Sequence, residues 1–197
     1  KGCAMKTVKN GDIVSLIAED GKKWFVRIEN RHLSTHKGNI NLEELINKQS
    51  GDYIITNTNN KIYFFLPSLE EIILHYVKRS TQIIYPKDAG YLVLKLGIKE
   101  GMKILEIGTG SGAMTFVLAH LIGENGKLYT YEERPEFTKK AENLIRDFHL
   151  ENRVYFHTKN IKSGIEETEF DTAIIDIKEP EIYLADTVKR LSYGGSF

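Results

Sequence analysis

One stretch constrains this chain more than any other: Met102 to Gly112, Met-Lys-Ile-Leu-Glu-Ile-Gly-Thr-Gly-Ser-Gly. Met102 to Ile107 reads as a short buried strand. Glycines then stand at every second position, at Gly108, Gly110 and Gly112. An apolar run of helical period (Met114, Val117, Leu118, Leu121) follows from Ala113 to Ile122, and Gly123 closes it as a C-cap. Strand, glycine loop and helix in this order form the ligand cradle of an open α/β sheet. Glycine has no Cβ, so the backbone can turn tightly and approach a ligand closely. The helix start behind the loop offers N–H groups without intrahelical partners.

Two ligand classes fit such a loop. Gly108, Gly110 and Ala113 match G-x-G-x-x-A, a dinucleotide fingerprint. Glu106, two residues ahead of the first glycine, favours the other class. A carboxylate there suits a ligand with an ammonium group and repels a pyrophosphate. S-adenosylmethionine carries an ammonium group and no phosphate.

The chain around this stretch alternates strands and helices. Lys127 to Tyr131 reads as a strand ending in Glu132-Glu133, and Pro135 to Phe148 as a helix with Phe137, Ala141, Leu144, Ile145 and Phe148 on one face. Arg153 to His157 is a strand ending near Asn160-Ile161. Asp171 to Ile177 is an almost continuous apolar strand, expected at the centre of the sheet and buried on both faces. Glu181 to Leu191 is a helix, and Tyr193 to Phe197 a turn entering another strand. A doubly wound sheet that stops there lacks at least one strand, so the chain reads as part of a longer protein.

The N-terminal third is different. Gly11 to Ala18 and Lys22 to Glu29 read as strands around an Asp20-Gly21 hairpin turn. His36-Lys37-Gly38 falls in a polar loop, and Asn41 caps a short helix through Ile46. Asp52 to Thr56 and Lys61 to Leu66 are two more strands. Such short strands in succession imply a small β module, read as a partly open barrel. Pro67 and Pro86 each open a helix, the second running to Leu96 with Gly97 as its stop. The expected organisation is a β module over 1–66, a helical connection over 67–101, and a Rossmann-type α/β domain over 102–197, incomplete at its C-terminus.

With 27 basic and 27 acidic side chains the net charge is zero, which argues against a protein that coats nucleic acid nonspecifically. Residues 1–90 carry 13 basic and 10 acidic side chains, so a polyanion would prefer this part. No apolar run approaches the roughly 20 residues of a membrane span. The single cysteine, Cys3, excludes an internal disulfide and fits a reducing cytoplasm. No pair of histidines has metal-ligand spacing, so no metal site is expected.

Ligand groups of a parallel sheet gather at the carboxyl ends of its strands. Glu132 holds that place about 20 residues past the glycines, where an acid grips ribose hydroxyls. Asn160 ends the third strand, where its amide fits an adenine edge; an ordinary loop asparagine fits the place almost as well. Asp176 closes Ala173-Ile174-Ile175, where an acid rarely serves packing.

Four segments together resemble the T-loop tRNA (adenine-N1)-methyltransferases: Thr81-Gln82-Ile83-Ile84-Tyr85-Pro86-Lys87-Asp88, Leu105 to Gly112, Tyr131 to Phe137, and Asp176-Ile177-Lys178-Glu179-Pro180. The Thr-Gln-x-x-Tyr-Pro-Lys-Asp segment is the specific one; the glycine loop and the Tyr-Glu acid are generic to S-adenosylmethionine enzymes. The resemblance implies methyl transfer from S-adenosylmethionine to N1 of a T-loop adenine, position 58, by a cytoplasmic, RNA-binding homotetramer. It implies Asp176 and Tyr85 as catalytic residues. It implies a cofactor site of Gln82, Glu106, Gly108, Gly110, Ser111, Gly112, Ala113, Glu132, Asn160, Ile161 and Asp176. Two positions depart from the family pattern. Pro180 is followed by Glu181 where the family has Trp, and Asn160 stands where it has Asp. A nicotinamide-dependent oxidoreductase and an inactive tRNA-binding subunit of the same fold are the alternatives.

Overall fold

The fold is that of a computed structural model, and it describes residues 6–77 and 84–197. The chain divides into two compact units, Lys1–Tyr76 and Val77–Phe197.

In the first unit, β1 (Ile13–Ala18) pairs antiparallel with β2 (Lys23–Arg27), Leu16 opposite Trp24. The turn between them contains Asp20-Gly21, as the sequence predicts. A second hairpin, β3 (His32–Thr35) and β4 (Gly38–Asn41), occupies what the sequence suggested was a polar loop. Polar residues alternate with Leu33 and Ile40 there, so the apolar signal of each short strand is a single residue. Asn41 does cap a helix, a single 3-10 turn over Leu42–Leu45, by accepting from the Glu43 N–H. Then β5 (Tyr53–Ile55) pairs with β6 (Lys61–Phe65), and β6 returns to β1. The sheet order β2-β1-β6-β5 leaves two edges. It is an open four-stranded sheet, and residues 32–41 form a separate two-stranded ribbon. Val14, Leu16, Val26, Ile28, Ile40, Leu42, Leu45, Ile62 and Phe64 form one buried core beneath it. The helix expected from Pro67 starts two residues later, at Leu69. Ser68 caps α1 (Leu69–Glu71) in a reciprocal capping box, and a π-helical turn, Ile72–Tyr76, follows.

In the second unit, α2 (Pro86–Leu96) stops at Gly97, whose φ of 61° is left-handed. The strands β7 (Lys103–Ile107), β8 (Lys127–Glu132), β9 (Val154–Thr158), β10 (Phe170–Ile175) and β11 (Leu191–Ser196) form one parallel sheet in the order β11-β10-β7-β8-β9. Helices α3 (Ala113–Leu121), α4 (Pro135–Asp147) and α5 (Glu181–Val188) alternate with them. This is the α/β, Rossmann-type architecture expected from the alternation. Two details differ. The central strand is β7, and β10 lies between it and β11. The last strand begins at Leu191, inside the stretch expected to be helix, where its partner Phe170 is fully buried. Glu181, the departure after Pro180, is the first residue of α5, where a carboxylate meets the positive end of the helix dipole.

The strand order reverses at β7. From there the chain proceeds outward through β8 and β9, and it resumes on the other side with β10 and β11. Such a switch point opens a crevice at the carboxyl ends of the two central strands, here β7 and β10. The glycine loop leaves β7 into that place, and Asp176 follows β10.

Candidate functional site

The loop is closed on three sides. Gly108 has φ +97°, and a Cβ added to it would stand 2.3 Å from the carbonyl oxygen of Asp176. Gly112 has φ +79° and caps α3; a Cβ there would stand 2.8 Å from the Ala141 methyl group of α4. Two backbone bonds fix the ends: Gly108 N–H donates to the Tyr131 carbonyl at 2.9 Å, and Asp176 N–H to the Ile107 carbonyl at 2.8 Å. Ser111 Oγ accepts from Ala113 N–H at 3.3 Å, capping the first turn of α3 with a side chain from the loop itself.

Glu132 is 6% exposed at the end of β8. Its Oε2 accepts from Gly110 N–H at 3.0 Å, so this acid supports the tip of the loop directly. Its Oε1 accepts from Arg134 N–H at 3.1 Å and Arg134 Nε at 3.0 Å. The Arg134 guanidinium in turn lies 3.9 Å over the Phe137 ring. A carboxylate has about four acceptor sites; the three bonds leave Glu132 one, on Oε2, for a ligand hydroxyl.

Glu106 is 1% exposed within β7. Its Oε2 accepts from Thr115 Oγ1 at 2.7 Å and from Thr130 Oγ1 at 2.6 Å. Among the described residues, none donates to Oε1. Burial raises the carboxyl to about 7, opposed by the two threonine hydrogen bonds and reinforced by the negative charges of Asp176 and Glu132. Carboxylates from the ends of β8 and β10 therefore both act on Glu106 of β7, beside the glycine loop. Asp176 itself is exposed.

The remaining predicted residues lie around this centre or apart from it. Asn160 caps a 3-10 turn, Ile161–Ser163, with Oδ1 accepting from Lys162 N–H at 2.8 Å, and Nδ2 donates to Glu133 at 3.0 Å. Ile161 is partly buried against Leu105, Ile107 and Tyr131. Tyr85 is the N-cap of α2, its ring 49% exposed, with Pro86 as the first helical residue. Gln82 lies outside the described residues. Sequence reasoning passed over Thr109, Thr115, Thr130 and Arg134. The available signal was weak: a polar residue at 130 inside a buried strand, in phase with Glu132.

Residues 61–197 match the family described as tRNA methyltransferase complex GCD14 subunit. The chain belongs to that family. Within the GCD14 family and its relatives, the tRNA (adenine(58)-N(1))-methyltransferase TrmI of Thermus thermophilus is 38% identical over 146 residues, 74% of this chain and 57% of the relative. The TrmI of Methanocaldococcus jannaschii, named for adenines 57 and 58, is 26% identical over 202 residues, 90% of this chain and 70% of that one. Among solved structures, a SAM-dependent O-methyltransferase from Thermotoga maritima superposes with a TM-score of 0.82 at 38% identity, covering 94% of this chain and 69% of its own. A TrmI from Aquifex aeolicus gives 0.74 at 35% identity, covering 94% and 72%. The chain thus spans 57% of the length of its Thermus relative. The GCD14 assignment and these superpositions agree with the parallel sheet and place the glycine loop in a methyltransferase fold.

Proposed function

We propose that this chain carries the catalytic domain of an S-adenosylmethionine-dependent methyltransferase that modifies N1 of adenine 58 in the T-loop of tRNA. The observation that carries the reading is the convergence of Glu106, Glu132 and Asp176 on the mouth of the glycine loop. Three carboxylates suit a ligand bearing ammonium and sulfonium charges, and they oppose the pyrophosphate of a nicotinamide cofactor. The names of the relatives supply the nucleic acid and the atom.

The donor set fits S-adenosylmethionine. Glu132 would accept from a ribose hydroxyl, Oε1 of Glu106 would accept from the ammonium group, and Gly108, Gly110, Ser111, Gly112 and Ala113 would form the wall of the cofactor site. Asn160 keeps one N–H and one lone pair for the adenine edge, Ile161 offers an apolar neighbour, and Gln82 completes the set by resemblance. The cofactor, when bound, supplies an electrophilic methyl group.

This chain's residues then position and stabilise. The target base must leave the RNA stack to be reached. The half-exposed ring of Tyr85 offers a stacking platform, worth roughly 1–3 kcal/mol in single-strand binders. Methylation at N1 turns a neutral adenine into a cation whose charge spreads to the exocyclic amino group. The Asp176 carboxylate, accepting from that group, holds the transition state more strongly than the ground state. The N-terminal module holds the tRNA backbone. The protein acts as a cytoplasmic homotetramer; the exposed apolar side chains of Tyr91 and Leu94 on α2 support an assembly. No described helix is long and apolar enough to cross a membrane. No described cluster of His, Cys, Asp and Glu could hold a metal ion.

Incubating the full-length protein with unmodified tRNA and S-adenosylmethionine, then mapping reverse-transcription stops, tests the reading. A methyl on N1 blocks the pairing edge, so a new stop at the T-loop adenine is expected. tRNA binding with no new stop would instead identify an inactive subunit. Calorimetric binding of NAD in place of S-adenosylmethionine would identify an oxidoreductase.

A further inference from the structure

Beneath the glycine loop lies a buried chain of hydroxyls that no ligand contact explains. Thr109 belongs to the loop, Thr130 to β8 and Thr115 to α3; all three are buried. Thr130 Oγ1 donates to Glu106 Oε2 at 2.6 Å. A hydroxyl has one proton. At the 2.6 Å contact between Thr109 and Thr130 the donor is therefore Thr109. Thr115 donates independently to the same Glu106 oxygen. With Glu106 ionised, the hydroxyl protons of Thr109, Thr115 and Thr130 all point toward its carboxylate.

We infer that Thr130 is a positioning residue: its hydroxyl couples the conformation of the glycine loop to the Glu106 carboxylate. The reasoning follows from where each partner sits. Thr109 lies between Gly108 and Gly110, the two residues whose left-handed backbone shapes the cradle. Its side chain finds its acceptor in Thr130. Thr130 in turn is held by the carboxylate, so loop, central strand and neighbouring strand share one polar anchor. The two hydroxyls converging on Oε2 also orient the carboxylate and leave Oε1 for another donor. A valine at 130 has the same shape, yet it strands the Thr109 hydroxyl and removes one of the two hydrogen bonds to a buried charge. Both losses fall on the loop.

The inference rests on the proposed cofactor reading for its affinity readout, and a second readout does not depend on it. Wild type, Thr130→Val and Thr130→Ser are compared by calorimetry with S-adenosylmethionine and by amide hydrogen exchange of the ligand-free chain. Loss of one charge-assisted hydrogen bond predicts about tenfold weaker binding for the valine variant. Serine restores the hydroxyl and should return affinity to within about twofold on the same scale. In the ligand-free chain, the Gly110 amide should exchange faster in Thr130→Val, while amides of the β1–β6 sheet in the first unit stay unchanged. If Thr130→Val does not fold, Thr109→Val, which leaves the Thr130–Glu106 bond intact, carries the same prediction for Gly110 exchange. Wild-type chain that binds no S-adenosylmethionine would count against the cofactor reading while leaving the exchange experiment intact. Unchanged Gly110 exchange in both valine variants would overturn the inference. So would equal affinity of wild type and Thr130→Val.

Discussion

The carbonyl oxygen of Asp176 stands 2.3 Å from the point where a Cβ on Gly108 would be built. A residue at the end of β10 thereby closes on a residue at the end of β7, and only a hydrogen atom fits between them. Gly108→Ala meets backbone on one side and a positive φ on the other, so neither can relax cheaply. The expected outcome is loss of S-adenosylmethionine binding together with a destabilisation of roughly 1–3 kcal/mol, the range for strained backbone positions. Urea unfolding and calorimetry measure the two effects. Full retention of both would mean that the Asp176 loop moves aside freely.

Glu132→Ala removes the acceptor for a ribose hydroxyl, and with it the anchor of Gly110 N–H. Hydrogen bonds to a charged acceptor contribute about 1.5–3 kcal/mol each. Affinity for S-adenosylmethionine should fall at least tenfold on that scale, with the fold preserved in far-UV circular dichroism. Unchanged affinity would remove the residue from the ribose site.

Asp176→Asn keeps the size and one acceptor oxygen and deletes the charge. Removing one preorganised electrostatic group costs roughly 10²–10³ in turnover. Single-turnover rates at saturating tRNA and S-adenosylmethionine should fall in that range. Because Asp176 is exposed in the ligand-free chain, thermal stability should change little. A variant within a few-fold of wild type would leave positioning alone as the source of rate.

Glu106 makes the stability of the ligand-free chain depend on pH. Its carboxyl is raised from the ordinary 4.5 to about 7 by burial. Between those values the folded chain holds a proton that the unfolded chain has released, so stability falls as pH rises from 4.5 through about 7. Glu106→Gln keeps an amide oxygen for Thr115 and Thr130 and has nothing to ionise. Urea titrations from pH 5 to 8 should show a flatter profile for the variant, with a gain on the order of 1–3 kcal/mol at the upper end. The same variant should bind S-adenosylmethionine more weakly, since the ammonium loses its counter-charge. Equal slopes in both proteins would show that Glu106 does not titrate in this window.

The sequence by itself determined the elements that depend on near neighbours. The three glycines after β7, Gly97 closing α2 and Pro135 opening α4 each act through their own φ or missing N–H, which operates over a few residues. Glu132 was legible because its distance from the glycine loop is set by one helix and one strand. The short strands β3 and β4 were not, since each offers one apolar residue to a core assembled from many segments of the first unit. Only the tertiary structure decided which strands are neighbours. Pairing β7 with β10 joins segments separated by α3, β8, α4 and β9, and nothing local encodes it. That pairing sets Asp176 against Gly108, and the β7–β8 register places Thr130 opposite Glu106. The hydroxyl chain beneath the loop exists because three elements meet on one buried carboxylate, and a buried charge needs donors from wherever the fold can bring them.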